Sequence, residues 1–200
     1  MQITETNLKF NGTGTKRRST TRVIIHHSVS GDVSAATIHG WHLNNKWMGI
    51  GYHFVIRANG TVERGRAEDL IGAHAGEKGN PDSIGVCLAG DFTKHPPTEA
   101  QLFALVDLIQ WLRPKYGNLA VIGHKDVMAT ACPGYMFPWA DLHKRLEGEP
   151  MAEDWKKEII SKALAQGLIK EWHNPDEPTP KWFVLAVANN LKELIERGMK

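Results

Sequence analysis

Apolar runs and amphipathic stretches alternate along the chain as far as residue 147. The β-branched run at residues 22–28 (RVIIHHS) and the short apolar run at residues 83–90 (SIGVCLAG) are typical of buried strands. Residues 52–58 (YHFVIRA) alternate in polarity and predict a further strand. The Asn59-Gly60 pair then predicts a hairpin turn, with residues 61–64 as the returning strand.

Apolar residues at helical spacing predict three helices between or after these strands. Residues 34–46 form the first, with Ser34 as its cap. A capping box at residues 98–101 (TEAQ) opens the second, and Pro114 and Gly117 are expected to end it. A last short helix is expected over residues 138–147.

Residues 119–123 (LAVIG) add another strand, whereas residues 1–20 and 65–82 are expected to be irregular. Strands that alternate with helices predict an α/β fold with one mixed central β-sheet flanked by helices. A break at residues 148–150 (GEP) is a candidate linker, after which helices are expected at about residues 152–166 and 181–198. Two domains are therefore predicted, a core domain at residues 1–148 and a small C-terminal helical module at residues 149–200.

Charge and hydropathy argue against several classes of partner. The formal net charge is only +2, from 24 basic and 22 acidic residues, so nucleic acid is not an expected partner. No run approaches the ~20 apolar residues of a membrane-spanning helix, and membrane insertion is not expected. The N-terminus (MQITETNLKF) has no basic region followed by an apolar core, so synthesis in the cytoplasm without a signal peptide is expected. A monomer is the favoured oligomeric state.

Histidine and cysteine supply the candidate chemistry. Nine of the ten histidines lie before residue 150. His124 precedes Cys132 by eight positions in GHKDVMATACPG, and imidazole and thiolate are both good zinc ligands. His26, at the end of an apolar strand, is a candidate third ligand, although all three side chains are also compatible with structural roles. Three protein ligands would leave the fourth tetrahedral position for water, as in catalytic zinc sites.

Five segments carry a family resemblance in the order IIHHS, WHLNNKWMGIGYHFVIRANGTVERGR, GAHAG, NPDSIGVCLAGDF and GHKDVMATACPG. Over about residues 20–147 the chain resembles the N-acetylmuramoyl-L-alanine amidase type-2 family, which includes phage lysozyme-like amidases, bacterial autolysins and peptidoglycan recognition proteins. The resemblance implies hydrolysis of the amide bond between N-acetylmuramic acid and L-alanine. It also implies peptidoglycan as the partner and Zn²⁺ as the cofactor.

The same resemblance assigns the metal to His26, His124 and Cys132. Because strand side chains alternate, His27 would face the other side of the sheet, and it receives no metal role. Tyr52 matches a family tyrosine near the zinc water, where its phenol would donate to the oxyanion or transfer a proton. Thr130 stands where some members carry Lys and others Thr, so its hydroxyl would donate to the scissile carbonyl without adding charge.

Two further sets of residues follow from the resemblance. Some family branches carry a glutamate base at the position of Cys87, so no carboxylate base is assigned here. His74, in GAHAG, matches a histidine that lines the family's substrate groove. Asn80 and Ser83 flank the same loop and are expected substrate contacts with it.

The C-terminal segment resembles the helical repeats of S-layer-homology type that follow some amidase domains. Trp155, residues 167–169 (GLI) and residues 173–178 (HNPDEP) carry this shorter match. It implies attachment to the cell wall. The alternative is a helical pair that packs on the catalytic domain or forms a dimer.

A cell-wall substrate without a signal peptide favours a phage or prophage endolysin that acts on the wall after release. A bacterial autolysin is the alternative context. Two other activities stay open, namely a non-catalytic peptidoglycan recognition protein and a cysteine hydrolase with Cys132 as nucleophile and His124 as base. Non-catalytic members of the family lack the metal-binding cysteine, so the presence of Cys132 favours catalysis.

Overall fold

The computed structural model describes residues 1–147 of the 200-residue chain. Its elements are β1 (Arg22–His27), α1 (Ala35–Asn44), β2 (Phe54–Ile56), β3 (Val62–Arg64), α2 (Gly76–Gly79), β4 (Ser83–Leu88), α3 (Glu99–Tyr116), β5 (Ala120–Gly123) and α4 (Trp139–Leu146). Two 3₁₀ turns, at Asn80–Asp82 and His124–Asp126, precede β4 and follow β5. The helices expected at residues 152–166 and 181–198 lie outside the described residues.

The five strands form one mixed sheet in the order β3-β2-β4-β1-β5. Strand β1 pairs in parallel with both β4 and β5, β4 also pairs in parallel with β2, and only the β2–β3 hairpin is antiparallel. The prediction of an α/β fold with a mixed central sheet is confirmed. Because β1 and β4 are flanked on both sides, their apolar runs are buried, as expected for inner parallel strands.

The two faces of the sheet bury different cores. Helices α3 and α4 cover one face with a large apolar cluster that includes Val23, Ile25, Phe54, Val86, Leu105 and Ile109. The other face packs against α1 through a smaller cluster of Ala35, Ile38, Ile50, Val55 and Cys87. Cys87 belongs to this second face, and His26, its partner in the β1–β4 register, lies on the same face.

Helix α3 begins as the sequence predicts and ends later. Thr98 Oγ1 accepts from the Gln101 amide, and Gln101 Oε1 accepts from the Thr98 amide, which completes the capping box. The prediction that Pro114 helps to end the helix is wrong, because the helix continues to Tyr116. A proline in the last turn removes one backbone hydrogen bond, and the left-handed Gly117 at φ 81° ends the helix instead.

The expectation of an irregular segment at residues 65–82 misses one helical turn, α2. Asn80 supports this turn, because its Oδ1 accepts from the backbone amides of His74 and Ala75 at 2.9 and 2.8 Å. The sequence of α2 (GEKG) has no apolar repeat that would have predicted a helix. None of the helices in residues 1–147 combines the length and apolar character needed to cross a bilayer.

His53, directly before β2, is a fully buried polar link between the sheet and the following loop. Its Nδ1 accepts from the Gly85 amide at 2.9 Å, so its Nε2–H donates to the Leu70 carbonyl, also at 2.9 Å. Burial lowers the pKa of His53 to about 3. The imidazole therefore stays neutral in the folded protein at any pH at which it is neutral in the unfolded chain.

Folding stability should fall as the pH is lowered from about 6.5 towards 3, because His53 then binds a proton only in the unfolded state. Each such proton contributes a slope of ~1.4 kcal/mol per pH unit. Urea unfolding at several pH values would measure this slope for the wild type and for His53→Gln. The slope of unfolding free energy against pH should be smaller in the variant by ~1.4 kcal/mol per pH unit, the contribution of one proton. Equal slopes in the two proteins would contradict the buried neutral histidine.

Candidate active site

The site begins at the carboxyl ends of two parallel neighbours, β1 and β5. His26 is the penultimate residue of β1, and His124 directly follows β5. The register pairs Ile25 with Gly123, so the two histidines lie one step beyond a paired position. Their ring centroids are 4.5 Å apart. His27 lies on the opposite face of the sheet, where its ring packs beside Phe92, as strand alternation predicts.

Cys132 returns to this edge through the loop that follows His124. The Lys125 amide donates to the Cys132 carbonyl at 2.9 Å. Asp126 Oδ2 accepts from the Gly123 amide at 2.7 Å and holds the start of the loop against β5. As a result, Cys132 Sγ lies 3.7 Å from His26 Nδ1.

His26, His124 and Cys132 form a group whose potential ligand atoms all lie within 4.8 Å of one another. Two imidazoles and one thiol are a donor set that suits Zn²⁺. His26 is 1% exposed, whereas His124 and Cys132 are half-buried, so the group is open to solvent on the loop side. The three residues that the sequence nominated as ligands are therefore brought together by the fold.

Burial controls the charge of this group. It lowers the pKa of His26 well below the ordinary value, with smaller contributions from His124 and His27, and it also lowers the pKa of His124. Burial raises the pKa of Cys132 to about 11, although the His27 backbone amide opposes this shift. At neutral pH the metal-free group is therefore uncharged, and the Cys132 proton would leave only when a cation binds.

Tyr52 and Thr130 lie beside the three donors. The ring centroids of Tyr52 and His26 are 5.0 Å apart, and burial raises the pKa of Tyr52 well above its ordinary value. The phenol therefore keeps its proton and can act as a hydrogen-bond donor. Thr130 is exposed, and its Oγ1 accepts from the Cys132 amide at 3.3 Å, which leaves the hydroxyl hydrogen free to donate outward.

Cys87 occupies the position next to His26 on the neighbouring strand. The register of β1 and β4 pairs the two residues, and Cys87 is fully buried in the cluster against which Tyr52 packs. Burial raises the pKa of the Cys87 thiol well above its ordinary value. Strand β4 therefore places a neutral thiol beside His26.

His74, Asn80 and Ser83 lie behind His26. His74 Nδ1 is 2.9 Å from His26 Nε2, and His74 is only 9% exposed. Ser83 is fully buried, and its hydroxyl donates to the Gly79 carbonyl at 2.5 Å. Asn80 accepts the two backbone amides described above. Substrate contact by these three residues stays a prediction, and the burial of Ser83 gives it no surface to offer.

Two further features lie near the site, and the first, a contact of Met128, had no signal in the sequence pattern. Met128 Sδ lies 3.2 Å from His124 Nε2, because the 3₁₀ turn brings residues four apart together. An aromatic row extends from Tyr52 through His42 to Trp47, with centroid distances of 5.9 and 4.9 Å. Trp47 is 54% exposed and gives this side of the site an apolar rim.

Comparison with known proteins agrees with this geometry. Residues 16–135 match the family described as N-acetylmuramoyl-L-alanine amidase. The endolysin of Klebsiella phage KP32 is 40% identical over 130 residues, which cover 60% of this chain and 85% of that protein. The endolysin of Escherichia phage T7 is 38% identical over 129 residues, covering 60% of this chain and 84% of that protein.

Solved structures show the same fold. The amidase LysC from Clostridium intestinale URNW superposes with a TM-score of 0.70 at 33% identity, over 74% of this chain and 98% of LysC. Drosophila PGRP-LB superposes with a TM-score of 0.61 at 28% identity, over 66% of this chain and 88% of that one. Because the family match spans more than half of the chain, this protein belongs to the N-acetylmuramoyl-L-alanine amidase family and is a hydrolase.

The two free cysteines should differ in reactivity. In metal-free folded protein, a thiol reagent should modify half-buried Cys132, faster as pH rises towards its pKa of about 11, and should reach Cys87 only after unfolding. Added Zn²⁺ should protect Cys132. Mass spectrometry of timed samples would count the modified thiols, with Cys132→Ser as the control. Simultaneous modification of both thiols, or no protection by Zn²⁺, would contradict the site geometry.

Proposed function

We propose that this chain is a zinc-dependent amidase that hydrolyses the lactyl-amide bond between N-acetylmuramic acid and L-alanine in peptidoglycan. The observation that carries the proposal is the convergence of His26, His124 and Cys132 within 4.8 Å. The family membership and the endolysin relatives support the reaction and the wall polymer as substrate.

The donor set fits the proposed metal. His26 and His124 are neutral because burial lowers the pKa of each, and Cys132 would supply the one thiolate. Zn²⁺ held there would supply Lewis-acid polarisation of the scissile carbonyl and would lower the pKa of a water molecule to ~7. With three protein ligands, one tetrahedral position stays available for chemistry.

Tyr52 and Thr130 would stabilise the negative charge that develops on the carbonyl oxygen. Tyr52 keeps its phenolic proton because burial raises its pKa, so it is a ready donor beside the proposed metal. Thr130 adds a neutral donor on the exposed side. Since Cys87 replaces the carboxylate of other branches, we assign no carboxylate base, and Tyr52 is the group proposed to assist proton transfer.

The biological setting proposed is that of a phage or prophage endolysin that reaches the wall after release. The relatives named above are endolysins of phages, and no helix in residues 1–147 could span a membrane. Residues 149–200 are proposed to form a separate small module that binds the wall. Such a module would raise the effective concentration of substrate around the catalytic domain.

Two other activities are less well supported. A peptidoglycan recognition protein without catalysis would share the fold, but the complete donor set and the adjacent Tyr52 favour turnover. A cysteine hydrolase would need Cys132 as a thiolate without metal, whereas burial raises its pKa to about 11.

Purified peptidoglycan digested by the full chain should yield new L-alanine amino termini on intact glycan strands. A chelator should abolish this cleavage and Zn²⁺ should restore it, while a thiol-alkylating agent should fail to inhibit the zinc-loaded enzyme. Mass spectrometry would identify the new ends. Cys132→Ala should reduce cleavage to background, whereas Cys87→Ala, the matched buried cysteine, should retain it.

Other products would refute parts of the proposal. New sugar reducing ends would indicate a glycosidase. Zinc binding and wall binding without cleavage would favour the recognition protein. Cleavage that is indifferent to chelator but lost on alkylation would favour the cysteine hydrolase.

Tyr52→Phe should lower kcat by ~10²–10³-fold, the effect of removing one oxyanion donor, with little change in KM or in bound zinc. Tyr116→Phe is the matched control. Tyr116 lies in α3, which covers the opposite face of the sheet, and its hydroxyl donates to Glu68. Full activity of Tyr52→Phe across pH 5–9 would remove the assigned role.

A further inference from the structure

We propose that His74 and Ser83 form a hydrogen-bonded chain that fixes the tautomer of His26 and so directs His26 Nδ1, and not Nε2, to the metal. This inference rests on the proposed zinc site. It makes His74 and Ser83 positioning residues that act through His26, in place of substrate contacts.

The donor and acceptor roles in this series of hydrogen bonds follow from its last acceptor, the Gly79 carbonyl. The Gly79 carbonyl can only accept, so the Ser83 hydroxyl uses its single hydrogen there, at 2.5 Å. Ser83 Oγ is then an acceptor for His74 Nε2–H, at 3.4 Å. A neutral His74 that is protonated at Nε2 has a lone pair on Nδ1.

That lone pair determines which ring nitrogen of His26 carries the proton. The distance of 2.9 Å between His74 Nδ1 and His26 Nε2 requires one hydrogen, and only His26 can supply it. His26 is therefore protonated at Nε2, which leaves the Nδ1 lone pair free. Nδ1 is the atom that lies 3.7 Å from Cys132 Sγ, inside the donor group.

The fold builds a tight pocket for the His74 ring. A Cβ at Gly72 or Gly85 would lie 2.4 or 2.5 Å from His74 Cδ2, so any side chain at either position would displace the ring. Asn80 Oδ1 accepts from the His74 backbone amide at 2.9 Å and fixes the main chain. The ring is thus confined between Gly72 in the loop and Gly85 in β4, and its main chain is fixed by Asn80.

The second histidine of the donor group has a weaker support. His124 Nε2 faces Met128 Sδ at 3.2 Å, and this side chain is 45% exposed. A thioether is a weak acceptor compared with an imidazole nitrogen. The buried His74 should therefore contribute more to metal affinity than Met128 does, and loss of such supporting contacts typically costs ~10–100-fold in affinity.

Two measurements test the proposal on the full chain. Long-range ¹H–¹⁵N NMR of the metal-free protein should show both His26 and His74 protonated at Nε2, and Ser83→Ala should mix the tautomers of His74. Competition with a chromophoric chelator should then give a Zn²⁺ Kd that is ~10–100-fold weaker in His74→Leu. His74→Asn keeps an acceptor near the Nδ1 position and should recover much of the affinity. Met128→Leu is the control and should change Kd by less than His74→Leu.

Several outcomes would overturn the inference. His26 protonated at Nδ1 in the metal-free protein would do so without reference to zinc or activity. So would a folded His74→Leu that binds Zn²⁺ with the wild-type Kd, or one whose only defect is a raised KM, which would restore the substrate-contact role. If His74→Leu does not fold, the NMR spectrum of Ser83→Ala tests the inference instead, and an unchanged tautomer of His74 in that variant would overturn it. Failure of the wild type to bind Zn²⁺ would instead refute the proposed function and leave the NMR result standing.

Discussion

The site depends on the parallel pairing of β1 with β5 on one side and with β4 on the other. Parallel strands end at a common edge, so His26 and His124 meet although 97 residues separate them in the chain. The pairing with β4 places Cys87 beside His26, and it places Gly85 where the His74 ring needs space. Buried ladder hydrogen bonds on both sides of β1 thus fix the position of His26.

The apolar surroundings that hold these strands also remove charge from the site. Burial favours neutral imidazoles at His26 and His74, a protonated phenol at Tyr52 and a protonated thiol at Cys132. A dication that displaces one thiol proton would leave the proposed centre with a net charge of about +1. This charge would act at short range on a developing oxyanion. Catalytic electrostatics would therefore come mainly from the metal, since no carboxylate adjoins His26 at the Cys87 position.

A structural feature could be predicted from the sequence where the residues that cause it lie close together in the chain. The inner strands and the start of α3 were predicted because an apolar run and the capping box at Thr98 act within a few residues. The prediction from Pro114 was wrong because proline breaks a helix interior, whereas in the last turn it removes only one backbone hydrogen bond. The α2 turn and the place of His74 could not be predicted, since both depend on Asn80 and Gly85 meeting the loop in three dimensions. The donor triad was nominated through family resemblance, and the register of β1 with β5 then explains why its members meet.

The division of the donors between sheet and loop has a consequence for how the protein would respond to metal depletion. His26 belongs to β1, an inner strand of the sheet, whereas His124 and Cys132 belong to one short segment that follows the edge strand β5. Removing a bound ion would leave that segment held by the Lys125–Cys132 backbone hydrogen bond and by Asp126, and would leave the large core on the other face intact. Loss of activity on removal of the proposed Zn²⁺ would then be reversible, because the chain would stay folded without the ion.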